Sequence, residues 1–345
     1  MKPFILVVGG AGYIGSQMTR QLAAAGYTPV VLDDLSNGRR EAVGPHRLVV
    51  ADMGEGGAVD ALLQALPFEA VMHFASFIQV GESVTDPGRY YDNNVGNTIR
   101  LLQAMVRHGV KNFIFSSTAA IFGDPRYVPI DEQHPKEPIN PYGRSKWMVE
   151  QILADFDHAY GLRSSCLRYF NAAGADPDIE LGECHEPETH LVPLVLQAAA
   201  GRRAAITVYG EDYETPDGTC VRDYIHVSDL CDAHLLALEK LRAGGPSTRY
   251  NLGNGAGYSI REVIDVAERV TGRRIARASG LRRAGDPPVL VADATLAKSE
   301  LGWRPRFADL DTIILHAWRW EQKHFGAAGG TAAVAAGTAA AGAAS

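Results

Sequence analysis

Five apolar residues, Phe4 to Val8, run without a break into Gly9-Gly10-Ala11-Gly12-Tyr13-Ile14-Gly15. A short β-branched run ahead of glycines reads as a buried strand, and the segment from Gly15 to Ala25 reads as a helix. The glycines then have separate tasks. Gly9 permits a tight turn, Gly12 lets backbone approach a pyrophosphate, and Gly15 lets helix pack on strand. A helix starting there aims unpaired N–H groups and the positive end of its dipole at such a group. A glycine triplet alone would equally suit a turn with no ligand. Here the motif ends a first strand and opens a helix, and Asp33 follows 18 positions after Gly15 at the end of a second strand. A carboxylate at that place accepts ribose hydroxyls. Asp33 and Asp34, with no arginine directly behind the strand, favour NAD over NADP, because a 2′-phosphate would face two carboxylates. Arg39 and Arg40 lie further along the same loop.

Similar apolar runs recur at 29–32, 47–51, 70–74, 112–116 and 164–169, with helix-length segments between them. Strands separated by helices imply right-handed crossovers, so the expected fold is α/β: a Rossmann-type doubly wound parallel sheet. The longest connection, 83–109, suits a helix of many turns with Val95, Ile99, Leu102 and Val106 on one face. Pro141 can start another, over 141–159. From about Asn171 the pattern loosens into Gly-, Pro- and Asp-rich loops, with helices expected near 192–200, 226–241 and 260–270. This predicts a smaller mixed α/β lobe. The resulting division is 1–171 for the NAD-binding part, with some of 223–253 returning to it, and 172–222 plus 254–325 for the lobe. The Ala/Gly-rich stretch 326–345 is expected to be a disordered tail.

The 345 residues are 46% hydrophobic, enough for a substantial core. Lys and Arg number 33 against 40 Asp and Glu, a net charge of −7 with no basic tract. Nucleic acid is therefore not an expected partner. The start is too short for a signal-peptide core, and no stretch approaches the ~20 apolar residues of a membrane helix. Cys166, Cys184, Cys220 and Cys231 lack metal-ligand spacing, so they read as reduced thiols of a cytoplasmic protein, and no metal site is expected.

Ser116-Ser117-Thr118 ends the fifth strand, and Tyr142-Gly143-Arg144-Ser145-Lys146 follows inside the helix begun by Pro141. Residues four apart share a helix face, which sets the Lys146 ammonium beside the Tyr142 phenol. A phenol titrating near ~10 is a poor base at neutral pH, and a neighbouring cation or a positive nicotinamide ring would favour its phenolate. Such a pair also occurs by chance on ordinary helices. Together with a dinucleotide turn and a strand-end hydroxyl, it makes a proton-transfer site for hydride chemistry.

GGAGYIG, YxxxK and the hydroxyl triplet resemble the extended short-chain dehydrogenase/reductase family. HFASFIQVGES (73–83), YYDNNV (90–95), RYFNAAGAD (168–176) and DGTCVRDYIHVSDL (217–230) resemble its UDP-glucose 4-epimerases, over roughly residues 3–320. The resemblance implies tightly bound NAD and interconversion of UDP-glucose and UDP-galactose by oxidation at C4, rotation of the keto sugar and re-reduction. It implies Tyr142 as base, Lys146 as its electrostatic partner and ribose ligand, and Thr118 as the hydroxyl joining Tyr142 to the sugar O4. Around NAD it places Gly12, Tyr13, Ile14, Asp33, Asn37 and Asp52, then Met53, Phe74, Ala75, Asn93, Ser116 and Tyr169. Asn171, Leu191, Tyr209, Arg222, Arg283 and Asp286 fall where such enzymes hold UDP, and Phe170 lies near the hexose. Arg222 and Arg283 could supply bidentate donors to a diphosphate. Two positions depart from the pattern: Ile78 stands where some members have a lysine, and Val8 where threonine is usual.

Relatives that dehydrate or decarboxylate place an acid just after the hydroxyl position, whereas Thr118 is followed by Ala119-Ala120. That leaves returning hydride as the exit of a 4-keto intermediate. A 4-epimerase of UDP-N-acetylhexosamines or UDP-pentoses stays open, since Leu290, at the position that gates bulk at C2, is neither large nor small. A sensor that binds NAD or nucleotide sugar without catalysis would not require Tyr142, Lys146 and Thr118 together. A homodimer is expected through 83–109 and 141–159, in line with the four-helix interface the resemblance implies.

Overall fold

The computed structural model describes residues 2–283 and 286–326. The tail expectation therefore lies, apart from Gly326, outside the described residues. The first half alternates as β1 (Phe4–Val8), α1 (Tyr13–Ala24), β2 (Thr28–Asp33), β3 (Arg47–Val50), α2 (Gly56–Ala65) and β4 (Phe68–His73). The long connection expected as one helix is broken. It forms α3 (Val80–Thr85), α4 (Pro87–Tyr91), a π-helical turn over Asp92–Asn97, and α5 (Thr98–Arg107). Pro87 cannot continue α3 and instead opens α4, where the Asp86 side chain accepts the Arg89 N–H. The extra residue per turn at 92–97 rotates the buried face. Thr98, Leu101, Leu102 and Met105 point inward, whereas Ile99 is only half-buried.

Then come β5 (Asn112–Thr118), α6 (Pro141–Tyr160) and β6 (Arg163–Tyr169). Pro141 at the first turn and the Asn140 side chain, accepting the Gly143 N–H at 2.8 Å, set the start of α6. Beyond it lie β7 (Asn171–Ala173), α7 (Leu191–Ala199), β8 (Ile206–Tyr209), β9 (Val221–His226), α8 (Val227–Arg242) and β10 (Thr248–Leu252). The chain finishes with β11 (Gly257–Ser259), α9 (Ile260–Thr271), β12 (Arg277–Gly280), β13 (Val289–Leu290), α10 (Thr295–Glu300) and α11 (Leu310–Phe325).

Seven strands form one parallel sheet in the order β10-β6-β5-β4-β1-β2-β3. Alternation in β1 divides its side chains between two cores. Ile5 and Val7 pack with Met18 and Leu22 of α1 and Leu230 of α8, while Leu6 and Val8 pack with α2, α5 and α6. β10 is not among the six strands expected, because its alternating Arg249 and Asn251 hide the apolar pattern. A second body holds β9 with β7, β11 and β13, the pair β8–β12, and a core shared by α7, α9 and α11. The sheet order reverses direction between β1 and β4, the position at which α/β sheets open a crevice beyond their carboxyl ends.

Candidate active site

The glycine turn sits at that crevice. Gly9 has φ +78°, and a Cβ on it would lie 2.5 Å from the Ala75 nitrogen, so the turns after β1 and β4 touch across the switch point. A Cβ on Gly15 would strike the Gly9 carbonyl oxygen at 2.1 Å, whereas one on Gly12 would meet only that oxygen at 3.5 Å. The first two glycines are thus required by the protein's own packing, and Gly12 keeps an open approach. The first turn of α1 has no side-chain cap and no acidic residue, unlike α6, α9 and α11, which are capped by Asn140, Ser259 and Asp309. Uncapped N–H groups at Tyr13 and Ile14, facing an open cleft also lined by Asn37 and Arg39, fit a dinucleotide pyrophosphate.

Asp33, at the end of β2, accepts the Ala11 and Leu35 N–H groups, each at 2.9 Å. It braces the turn and keeps a second lone pair on each oxygen for a ribose. Burial raises its pKa against those two bonds. Asp34 is exposed and turned to Ser36. Asp52 accepts Gly54 N–H at 2.7 Å and the Asn97 amide at 3.3 Å, and Asn93 donates to Asn94 at 3.0 Å. Met53 is buried, and Phe74 and Ala75 are half-buried at the end of β4.

One turn apart on α6, Tyr142 and Lys146 face the end of β5, but not in the relation the sequence suggests. The Lys146 ammonium donates to Ser76 Oγ and to the Ser116 carbonyl, each at 2.8 Å, and lies 4.8 Å over the Phe115 ring. Burial pulls its pKa down to about 7, with Glu150 opposing. The Tyr142 phenol is close enough to Thr118 for that hydroxyl to oppose, but not outweigh, the upward push of burial on its pKa. In the protein by itself burial raises the phenol's pKa, and the Lys146 donors are directed to Ser76 and Ser116. Thr118 also accepts the Ala120 N–H at 3.1 Å. Tyr169 lies opposite Thr118 in the β5–β6 register and bonds to Ser116. Beneath them Glu150 accepts Ser117 at 2.6 Å and pairs with buried Arg168 at 2.6 Å.

The six residues proposed for UDP come from five segments, and four of them form linked pairs. Arg283 stacks over the Tyr209 ring at 4.0 Å, and the Arg222 guanidinium lies 3.6 Å from Asp286. Asp286 N–H donates to the Arg283 carbonyl, linking the two pairs. Arg222 is opposite Leu290 in the β9–β13 register. Leu290 and Phe170 are both half-buried against the cluster of Ala119, Ile121, Phe122 and Ile130. Asn171 is tied to the Asp223 carbonyl at 3.0 Å, and Leu191 opens α7.

Sequence reasoning missed Ser76, Glu150 and Arg168, whose roles depend on contacts 18 to 70 residues distant. It also expected no metal-ligand cluster, yet Glu183, His185, Glu188 and His190 gather beside the cleft at the glycine turn, which His185 helps to line. The Glu-x-His-x-x-Glu-x-His spacing was the available signal. The four cysteines are free thiols.

The chain matches the sequence model of the NAD dependent epimerase/dehydratase family over residues 5–253. It is 49% identical over 321 residues to the UDP-glucose 4-epimerase of Lacticaseibacillus casei, covering 93% of this chain and 97% of that one. The crystal structure of the UDP-glucose 4-epimerase from Brucella ovis in complex with NAD superposes with a TM-score of 0.90 at 51% identity, covering 92% and 98% of the two chains. That of the Bifidobacterium longum UDP-glucose 4-epimerase with NAD+ and UDP gives 0.89 at 37% identity, covering 93% and 98%.

Proposed function

The chain belongs to the NAD dependent epimerase/dehydratase family, and from that premise we infer a UDP-glucose 4-epimerase activity: inversion of the C4 hydroxyl between UDP-glucose and UDP-galactose. NAD, held by the glycine turn, Asp33 and Lys146, would supply the acceptor and donor of hydride for C4. The observation that carries this reading is the meeting of Tyr142, Thr118 and Lys146 at the same sheet edge as an uncapped glycine turn.

In this reading the Tyr142 oxygen accepts the proton of the C4 hydroxyl and Thr118 relays it. Lys146, fixed by Ser76 and Ser116, holds a ribose and keeps α6 in place. Ala119 and Ala120 supply no acid for elimination, so a 4-keto sugar leaves only by regaining hydride. Arg222, Arg283 and the Tyr209 ring hold the nucleotide end firmly. Apolar Phe170 and Leu290 beside the hexose make few directional contacts, as rotation of a keto sugar requires. We assign residues 1–171, with the returning α8–β10 region, to NAD, and the second body, which also holds β9, to UDP. The same chemistry extends to UDP-N-acetylhexosamines or UDP-pentoses if the space beside Leu290 admits them, which assays on those sugars decide.

A homodimer fits the surface. Ile78, Val80, Val84 and Met148 are large apolar side chains left exposed on and around α3 and α6, which pack on each other. No helix among the described residues is long and apolar enough to cross a membrane.

The direct test is UDP-galactose with purified protein and no added oxidant. UDP-glucose should form, and deuterium placed at sugar C4 should stay in the product with excess unlabelled NADH in the buffer. No conversion overturns the activity. Label in the free cofactor pool at the rate of turnover would make NAD a dissociating co-substrate and overturn the single-site rotation.

A further inference from the structure

The segment between β7 and α7 folds Glu183, His185, Glu188 and His190 inward, with one ligand atom from each within 4.8 Å of all the others. The Nδ1 of His185 is 3.1 Å from Glu183 and 3.8 Å from Glu188, and that of His190 is 2.5 Å and 3.5 Å from the same carboxylates. With the Glu188 oxygen nearer His190 taken as its ligand atom, the 2.5, 3.1 and 3.5 Å separations bracket the ~3.3 Å edge of a tetrahedron whose metal–nitrogen and metal–oxygen bonds are about 2.0–2.1 Å. His185 Nδ1 is buried and has no hydrogen-bond partner, although it is aimed at the cluster. Cys184, between them in sequence, turns away toward His324 at 4.0 Å.

Charge points the same way. Both carboxylate side chains are only 5–6% exposed, and among the described residues no lysine or arginine pairs with either. Two nearly buried negative charges are costly without compensation, and among the described residues the only ion-pair partners that could supply it are the two histidines. Two imidazolium ions 5.5 Å apart, ring to ring, would repel each other. One dication among two neutral imidazoles and two carboxylates balances the site. Imidazole nitrogens disfavour magnesium and calcium, and four mixed N/O donors without thiolate suit zinc.

We propose that Glu183, His185, Glu188 and His190 form a structural site for one divalent zinc-type cation per chain. Its position gives it a purpose. The His185 ring meets Tyr13 edge-on with 6.4 Å between centroids, and Tyr13 donates to the Gly174 carbonyl at 2.7 Å. His190 directly precedes Leu191, so the ion would clamp the loop between β7 and α7 beside Tyr13 of the glycine turn. The site stands on these residues alone and does not depend on the reaction assigned above.

The test uses the full chain, stripped with chelator and dialysed. Titration with Zn²⁺ in a calorimeter should show one equivalent bound, and Co²⁺ should develop the visible bands of a tetrahedral site. Loss of an outer-shell partner already costs about 10–100-fold in affinity, so His190→Ala and Glu188→Gln should each weaken binding by at least that much, whereas Cys184→Ser should not. Zn²⁺ should raise the unfolding temperature of the parent and not of His190→Ala. Absence of stoichiometric zinc on the parent protein would overturn the proposal and leave the cluster as a protonated histidine–glutamate network. Undiminished binding in His190→Ala and Glu188→Gln would overturn it equally, placing the ion elsewhere.

Discussion

Tyr142 and Lys146 are four residues apart, yet the geometry gives them unequal work. The phenol is near Thr118, and the ammonium is directed to Ser76 and the Ser116 carbonyl. Tyr142→Phe keeps the ring and removes the proton acceptor. It should retain NAD and UDP-sugar yet lose about 10²–10⁴-fold in turnover, measured with UDP-galactose; near-parental rates would move the base elsewhere. Lys146 makes a different prediction. Burial disfavours its charge and pulls its pKa from the ordinary 10.5 down to about 7 in the folded chain. Between those values the unfolded chain binds more protons, so stability rises with pH. Relative to Lys146→Met, the parent should therefore gain stability from pH 7 toward pH 10 in denaturant titrations. A flat or falling difference would mean that the ammonium stays charged in its pocket.

The glycine turn is the element we propose to hold the cofactor, and its glycines are not interchangeable. At Gly15 a methyl group would sit 2.1 Å from the Gly9 carbonyl oxygen, an impossible contact with backbone that cannot step aside without displacing α1. Gly15→Ala should thus purify without cofactor absorbance and unfold at lower temperature, while Gly12→Ala, meeting only an ordinary contact within the protein, should fold normally and bind NAD more weakly. Equal folding stability of the two variants would refute this division of roles. The broken helix over 80–107 is an element the 3.6-residue pattern misplaces. Pro87 ends one axis, and the π turn at 92–97 rotates the next, so the buried face passes through Leu101 and Met105 rather than Ile99.

For the assembled protein, the exposed apolar face of α3 and α6 carries the oligomer prediction. Light scattering should return twice the 37.1 kDa of one chain. A double variant, Val84→Glu with Met148→Glu, sets like charges on that face and should shift the mass to a single chain with the fold intact by circular dichroism. A parent already monomeric at micromolar concentration would rule out this interface.

The local features could be read directly. A strand, a glycine turn and a helix follow from neighbours within a few residues, and a Tyr-x-x-x-Lys pair follows from the helical period, so β1, α1 and α6 stand where expected. Five further strands announce themselves by β-branched runs. β10 does not, because a strand with polar residues at alternate positions becomes recognisable only when it lies against β6. Lys146 was legible as a site residue, but its partner Ser76 lies 70 residues earlier, and no spacing rule encodes that contact. The pairing of Arg222 with Asp286 spans 64 positions, and the carboxylate–imidazole cluster at 183–190 depends on a loop folding back on itself. Secondary structure answers to short-range sterics and hydrogen bonding, whereas the direction of a charged side chain depends on which distant groups packing has brought within about 3 Å.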